Sequence, residues 1–257
     1  MFPSARRDDL PDIARRVDPV NSSEGITPPH VLPLAQVAAP PVGRRAGTHH
    51  CQNVAGLIGR LATMAVQSGR ITLGTPLPDV TLTDLDGHSV NLAEYRGTDS
   101  LVVAFCCNHC PYVRHIEAAL GVLVAEFDEV PVRFVAISSN DIAAYPDDDV
   151  AGLRDQAQRA DWRFPYLQDL DQSAARAFAA ACTPDFFVYS PEGTLAYRGA
   201  FDASSPKNNE PLTGDLLRSA ISATLRGEPV PQPHRPALGC GIKWLPGNEP
   251  EAVSFTS

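Results

Sequence analysis

The chain has 257 residues, 44% of them hydrophobic and 20% charged, enough for one ordinary core plus an extension. Its formal net charge is −9 and lysine occurs only at Lys207 and Lys243, so there is no basic footprint for nucleic acid. No apolar run approaches the roughly 20 residues that span a bilayer, so no membrane role is expected.

Residues 1–63 read differently from the rest. Proline recurs from Pro3 to Pro41. Each one removes a backbone donor and restrains its predecessor, so regular elements there are short or missing. Arginines are present, but the apolar stretch of about 7–15 residues that an export signal needs does not follow them. The segment is expected to be a disordered extension, and a cytoplasmic location follows on the same reading. Folded-looking sequence begins directly after Met64, the only methionine besides Met1, which suggests translation from Met64. Cys51 then lies outside the chemistry.

From Leu77 the pattern becomes regular. "DVTLTDLDGHSVNL" alternates apolar and polar residues around Asp86-Gly87, a hairpin signal. "LVVAFCC", Leu101 to Cys107, is a continuous apolar run rich in β-branched residues, as in a strand covered on both faces. "PYVRHIEAALGVLVAEF" carries apolar residues at helical spacing, with Pro111 in the first turn where its missing N–H costs nothing. "VRFVAISSN" reads as the next buried strand. "DDDVAGLRDQAQRAD" opens with acids that suit the positive end of a helix. "SAARAFAAA" is a short helix, "DFFVYSPEGTLAYRGAF" two strands joined by a Pro-Glu-Gly turn, and "TGDLLRSAISATLRGEP" a helix ending at glycine. The strand–helix–strand portion requires parallel pairing, and the later hairpin adds antiparallel strands. The fold class is α/β. No Gly-x-Gly-x-x-Gly or Walker-type loop follows a strand, which disfavours a nucleotide enzyme.

The chemistry sits in Cys107-Asn108-His109-Cys110, at a strand-to-helix junction. The first helical turn has unpaired N–H groups and the positive end of the dipole, both of which favour a thiolate. Cys107 is expected at an exposed mouth, with Cys110 one turn away and able to join it in a disulfide. A protonated His109 between them would favour the thiolate further. In "ACTPDFFVYS", Thr183-Pro184 precedes a strand, where a cis bond would turn the residue 183 backbone toward the cysteines. Cys182 and Cys240 are candidate additional redox cysteines, Cys240 on a flexible-looking tail that could fold over the site.

Taken together, "LGTPLPDVTLTDLDGHSVNLAEYRG", "CNHCPYVRHIEAAL", "VAISSND", "FPYLQD", "ACTPDFFVY", "AYRGAFD" and "GCGIKWLPGNEP" resemble the thioredoxin-like superfamily. Within it, they resemble the redoxin branch that groups alkyl hydroperoxide reductases with thiol-specific antioxidant proteins. The resemblance implies a thioredoxin fold, a mixed β-sheet flanked by helices, with an N-terminal β-hairpin extension. The domain would span residues 64–230, with a Pro/Gly-rich C-terminal tail, 231–257, packing on it. It also implies Cys107 as the attacking thiol, Cys110 as its resolving partner and Pro184 as a cis-proline, with Asn108, His109 and Thr183 in support.

Peroxiredoxins place Pro-x-x-x-Thr-x-x-Cys around their reactive cysteine, whereas Val103 to Cys106 precede Cys107 here. Thiol–disulfide exchange is therefore expected ahead of peroxidase chemistry, for which Arg114 and Arg133 are available. From another class, Cys106-x-x-x-Cys110-Pro111 resembles a Sco-type copper site, but no histidine lies between His115 and His234 to supply the distal ligand. Cys107, Cys110, Cys182 and Cys240 could form a structural zinc site, though a second Cys-x-x-Cys is missing. The leading expectation requires no bound cofactor and no metal. Its partners are a disulfide or peroxide substrate and an external thiol reductant, thioredoxin-like or of low molecular weight.

Overall fold

The structure, a computed structural model, describes residues 65–69 and 71–250; the expected disordered extension, Cys51 and the last residues of the C-terminal tail lie outside them. Strand β1 spans Ala65–Gln67. The expected hairpin is β2 (Thr81–Asp84) and β3 (Ser89–Asn91), antiparallel with Leu82 opposite Val90. Its turn is held by the Asp84 carboxylate, which accepts the backbone N–H groups of Asp86 and His88 at 2.8 Å each. Gly87 takes φ +89 there, a region glycine enters without steric cost.

The elements that follow are β4 (Ser100–Phe105), α1 (Pro111–Ala125), β5 (Val132–Ser138), α2 (Val150–Arg159), β6 (Tyr166–Gln168), α3 (Ser173–Ala177), β7 (Cys182–Thr183), β8 (Asp185–Tyr189), β9 (Leu195–Gly199), α4 (Asp215–Leu225) and β10 (Leu238–Gly241). Seven strands form one sheet in the order β3-β2-β6-β5-β4-β8-β9. β4 lies at its centre, parallel to β5 and antiparallel to β8. β5 and β6 are parallel, β2 joins β6 antiparallel, and β8 and β9 make the closing hairpin. This is the thioredoxin fold, a mixed sheet flanked by helices, with the β2–β3 hairpin extending one edge.

The sheet has two apolar faces because side chains alternate along each strand. From β4, Val102 and Ala104 join Leu120 and Leu123 of α1 and Leu217 and Ile221 of α4 on one face. Leu101, Val103 and Phe105 join Leu167, Phe178 and Phe187 on the other. Phe105, Phe178 and Phe187 meet edge to face, with ring centroids 5.4–5.7 Å apart. Helix α1 buries Val113, Ile116, Leu120, Leu123 and Val124, the three-and-four spacing that its sequence predicts.

Four strands go beyond the sequence reading: β1, β6, β7 and β10. Each has two to four residues. None is long enough to show alternation, and β10 ("LGCG") is half glycine, so partners rather than propensity make it a strand. β1, β10 and β7 form a separate three-stranded antiparallel sheet in that order. The C-terminal segment, expected as a tail packing on the domain, is tied into β structure there.

Candidate active site

β4 delivers the chain to Cys106 and Cys107, and α1 begins at Pro111 with Cys110 as its N-cap, φ −71 and ψ 122. A proline at the first helical position sets the residue before it as the cap. Cys110 makes no side-chain capping bond, but the nearby Val113 N–H, one of the donors a helix start leaves free, favours a charge on its sulfur. Cys107 and Cys110 are hydrogen-bonded to each other. Across from them, Thr183 places its hydroxyl 3.4 Å from the Cys107 sulfur, and its carbonyl accepts from the Cys110 thiol at 3.1 Å. The Thr183–Pro184 bond is cis. Chain segments 70 residues apart therefore converge on one pair of sulfurs.

One expectation about the pair needs correcting. Cys107 does not stand at an exposed mouth: Cys107 and Cys110 are each 0% exposed. The cover is β10, which pairs with Thr183 through Cys240 and brings the Cys240 thiol into hydrogen-bond contact with Cys110. The surroundings of the two sulfurs differ. Hydrogen bonds from Cys107 and then Cys240 hold the Cys110 thiol far below its ordinary range, against its burial, with the Thr183 hydroxyl and Val113 N–H adding to the effect. Burial, the hydrogen bond to Cys110 and the Asp148 charge push Cys107 the other way. Within the pair these hydrogen bonds favour charge on Cys110, while burial disfavours it on Cys107.

Asp148 is the residue that sequence reasoning missed. It lies in the 3-10 turn Pro146–Asp148, and its carboxylate is fully buried. It accepts the Asn108 N–H at 2.8 Å, the Asn140 side-chain amide at 2.8 Å, and lies 2.6 Å from His109 Nδ1. Burial opposes its charge, yet these donors outweigh burial and hold its carboxyl below the ordinary value. His109 therefore turns its Nδ1 to Asp148 rather than to a sulfur, and stacks on Tyr145 with ring centroids 5.2 Å apart. Asn108 is clamped by Arg114 from its own turn and by Arg159 from α2, and Arg159 also pairs with Glu117 of α1. Gln156 of α2 donates to the Cys107 carbonyl at 3.3 Å.

The remaining candidates separate cleanly. Arg133 pairs with Asp99 near the opposite end of β5 and is 64% exposed, so it takes no part in the site. Burial drives the thiols of Cys106 and Cys182 well above their ordinary range, the condition of inert packed cysteine. Cys182 turns its sulfur to the carbonyls of Pro184 and Ala237, 3.9 Å away. Among the described residues, metal-ligating atoms gather within 4.8 Å in two groups, Cys107–His109–Asp148 and the largely exposed Asp84–Asp86–His88. The four-cysteine zinc set is not among them. In the first group, His109 Nδ1 pairs with Asp148, while its Nε2 is buried without a partner. No helix among the described residues is long and apolar enough to cross a membrane.

The comparisons agree with this layout. Residues 73–198 match the model of the AhpC/TSA family. The crystal structure of a hypothetical protein from Sinorhizobium meliloti 1021 is 41% identical, with a TM-score of 0.68, over 70% of this chain and 99% of that one. That of an uncharacterized conserved protein from Geobacillus kaustophilus is 40% identical, with a TM-score of 0.70, over 73% of this chain and 100% of that one. No curated protein matches. With its mixed sheet, its hairpin extension and a matched stretch that runs through both halves of the site, the chain belongs to the AhpC/TSA family, in the redoxin branch of thioredoxin-like proteins.

Proposed function

We propose that the protein is a thiol–disulfide oxidoreductase in which Cys110 attacks and Cys107 resolves. One observation carries this reading: two cysteines at the start of α1 meet Thr183 beside a cis proline, with the hydrogen bonds around the N-cap sulfur favouring its charge. The Cys110 thiolate attacks one sulfur of a substrate disulfide; that S–S bond breaks, and the departing thiolate takes up a proton. Cys107 then attacks the Cys110 sulfur of the mixed disulfide, and its proton goes to the second departing thiolate. The substrate gains two electrons, the Cys107–Cys110 pair loses two, and an external thiol restores the pair. A reducing compartment such as the cytoplasm would supply that thiol.

The family match favours a second oxidant, a peroxide. In that reaction the Cys110 thiolate would become a sulfenic acid, releasing alcohol or water, and Cys107 would close the disulfide with loss of water. Against it, Arg114 is committed to Asn108 and offers a peroxide no free guanidinium. Both substrates can be presented to one preparation. With dithiothreitol as reductant, the protein is expected to speed insulin-disulfide reduction at least tenfold over dithiothreitol alone, and to consume hydrogen peroxide far more slowly. No acceleration with insulin would overturn the exchange reading, and rapid peroxide turnover in its place would install the second.

A further inference from the structure

Resting on the exchange reading, we propose that β10 is a built-in partner strand and that Cys240 forms an alternative disulfide with Cys110. The edge of Thr183, next to Pro184 and facing the cysteine pair, is where an extended substrate would lie against the site. The chain's own C-terminal strand occupies it: Cys240 is the Cα partner of Thr183, and Gly241 of Cys182, in antiparallel register. Cys240 is 3% exposed, and this pairing brings its thiol to Cys110, which has both Cys107 and Cys240 as hydrogen-bond partners.

The seat of this strand is specific. A Cβ on Gly239 would fall 1.8 Å from the Thr183 carbonyl oxygen, so the strand approaches this closely only because residue 239 is glycine. The segment is pinned on both sides of Cys240. Ser68 and Ala237 exchange hydrogen bonds at 2.9 and 3.0 Å, and the Ile242 N–H donates to the Ala181 carbonyl at 3.2 Å. The Lys243 N–H donates at 2.8 Å to the Asn140 side chain, whose amide in turn holds Asp148. The third cysteine and the carboxylate beside Cys107 therefore share one support. Neither step of the two-cysteine cycle uses Cys240, yet a well-placed thiol is kept against the reacting sulfur.

The exchange balances without an outside oxidant. Cys240 attacks the Cys110 sulfur of the Cys107–Cys110 disulfide. The Cys110–Cys240 bond forms, the Cys107–Cys110 bond breaks, and the Cys107 thiolate takes the proton that Cys240 gives up. The same attack on a mixed disulfide at Cys110 releases the substrate thiol. Cys110 is the common atom of both disulfides, and β10 carries the oxidised state out of the helix start.

The test treats reduced full-length Cys107→Ser with one equivalent of oxidised glutathione, blocks free thiols with N-ethylmaleimide, and maps bonds by fragment-ion mass spectrometry. The expected product is a Cys110–Cys240 disulfide at least tenfold more abundant than glutathionylated Cys110. In Cys107→Ser/Cys240→Ser, glutathione is expected to stay on Cys110. Persistent glutathione on Cys110 in the single variant, with Cys240 alkylated, would overturn the relay and leave the exchange reading standing. No uptake of glutathione at Cys110 in either variant would overturn both. Wild type, mapped under the same oxidant, should show both Cys107–Cys110 and Cys110–Cys240 bonds; Cys107–Cys110 alone counts against the relay.

Discussion

Replacing Cys110 by serine is expected to lower insulin-disulfide reduction on the order of 10³-fold or more, because it removes the sulfur proposed to attack, the one whose hydrogen bonds favour the thiolate. Cys107→Ser should also halt turnover, but at a different step. Its Cys110 thiolate still attacks, so the first half-reaction with an aromatic disulfide such as Ellman's reagent survives, and with Cys240 also replaced the mixed disulfide accumulates. The two variants thus separate roles that overall turnover cannot. Stopped-flow measurement of the first thiolate release is expected to show a fast phase in Cys107→Ser and none in Cys110→Ser. The reverse pattern would restore Cys107 as the attacking thiol and make the N-cap sulfur the resolving one.

Arg198→Met is expected to cost about 3–5 kcal/mol of stability at pH 8, the usual range for stranding one member of a buried ion pair. Asp185 follows Pro184 on β8 and is the partner of Phe105 across the sheet, with its side chain fully buried. The Arg198 side chain, 4% exposed, donates to it at 2.8 Å, also reaches the Ala179 carbonyl, and lies over the Phe187 ring. Burial lifts the Asp185 carboxyl to about 6 even with Arg198 opposing it.

The sign of the pH dependence follows. The folded state binds the Asp185 proton more tightly than the unfolded chain, whose value is near 3.8. This group's contribution is therefore fully present below about pH 4 and lost as pH rises through about 6, a change on the order of 3 kcal/mol. Without Arg198 the carboxyl is pushed higher still, so the variant's deficit should be largest at pH 8 and shrink toward pH 5, where Asp185 is neutral. Denaturant melts of both proteins at the two pH values check this, and a deficit independent of pH would mean that lost packing, not the charge, dominates.

Much of this was written in the sequence, but not evenly. The apolar run before Cys106 marked the central strand, and Asp86-Gly87 marked the hairpin, because both signals are local. The cysteine pair at the strand-to-helix junction and Pro184 located the site for the same reason. Pro111 also held the information that Cys110 caps the helix, the position on which the proposed assignment of the attacking sulfur turns. Asp148 was hidden in "DDD", where all three acids suit a helix start. Only Asp149 caps α2, accepting the Gly152 N–H, while Asp148 turns inward to Asn108 and His109. β10 was illegible because its strand character comes from β1 and β7, which lie roughly 170 and 60 residues away in the chain. The burial of Cys107 was illegible with it.

The central claim is that Cys110, poised between two thiols at the start of α1, is ionised at neutral pH. Thiolate absorbance at 240 nm, followed from pH 4 to 10 in the reduced full-length protein and in Cys110→Ser, tests it most directly. About one thiolate per chain is expected to persist at pH 6 in wild type and to be missing from the variant. A wild-type curve that stays flat until pH 8, or one that Cys110→Ser leaves unchanged, would contradict it.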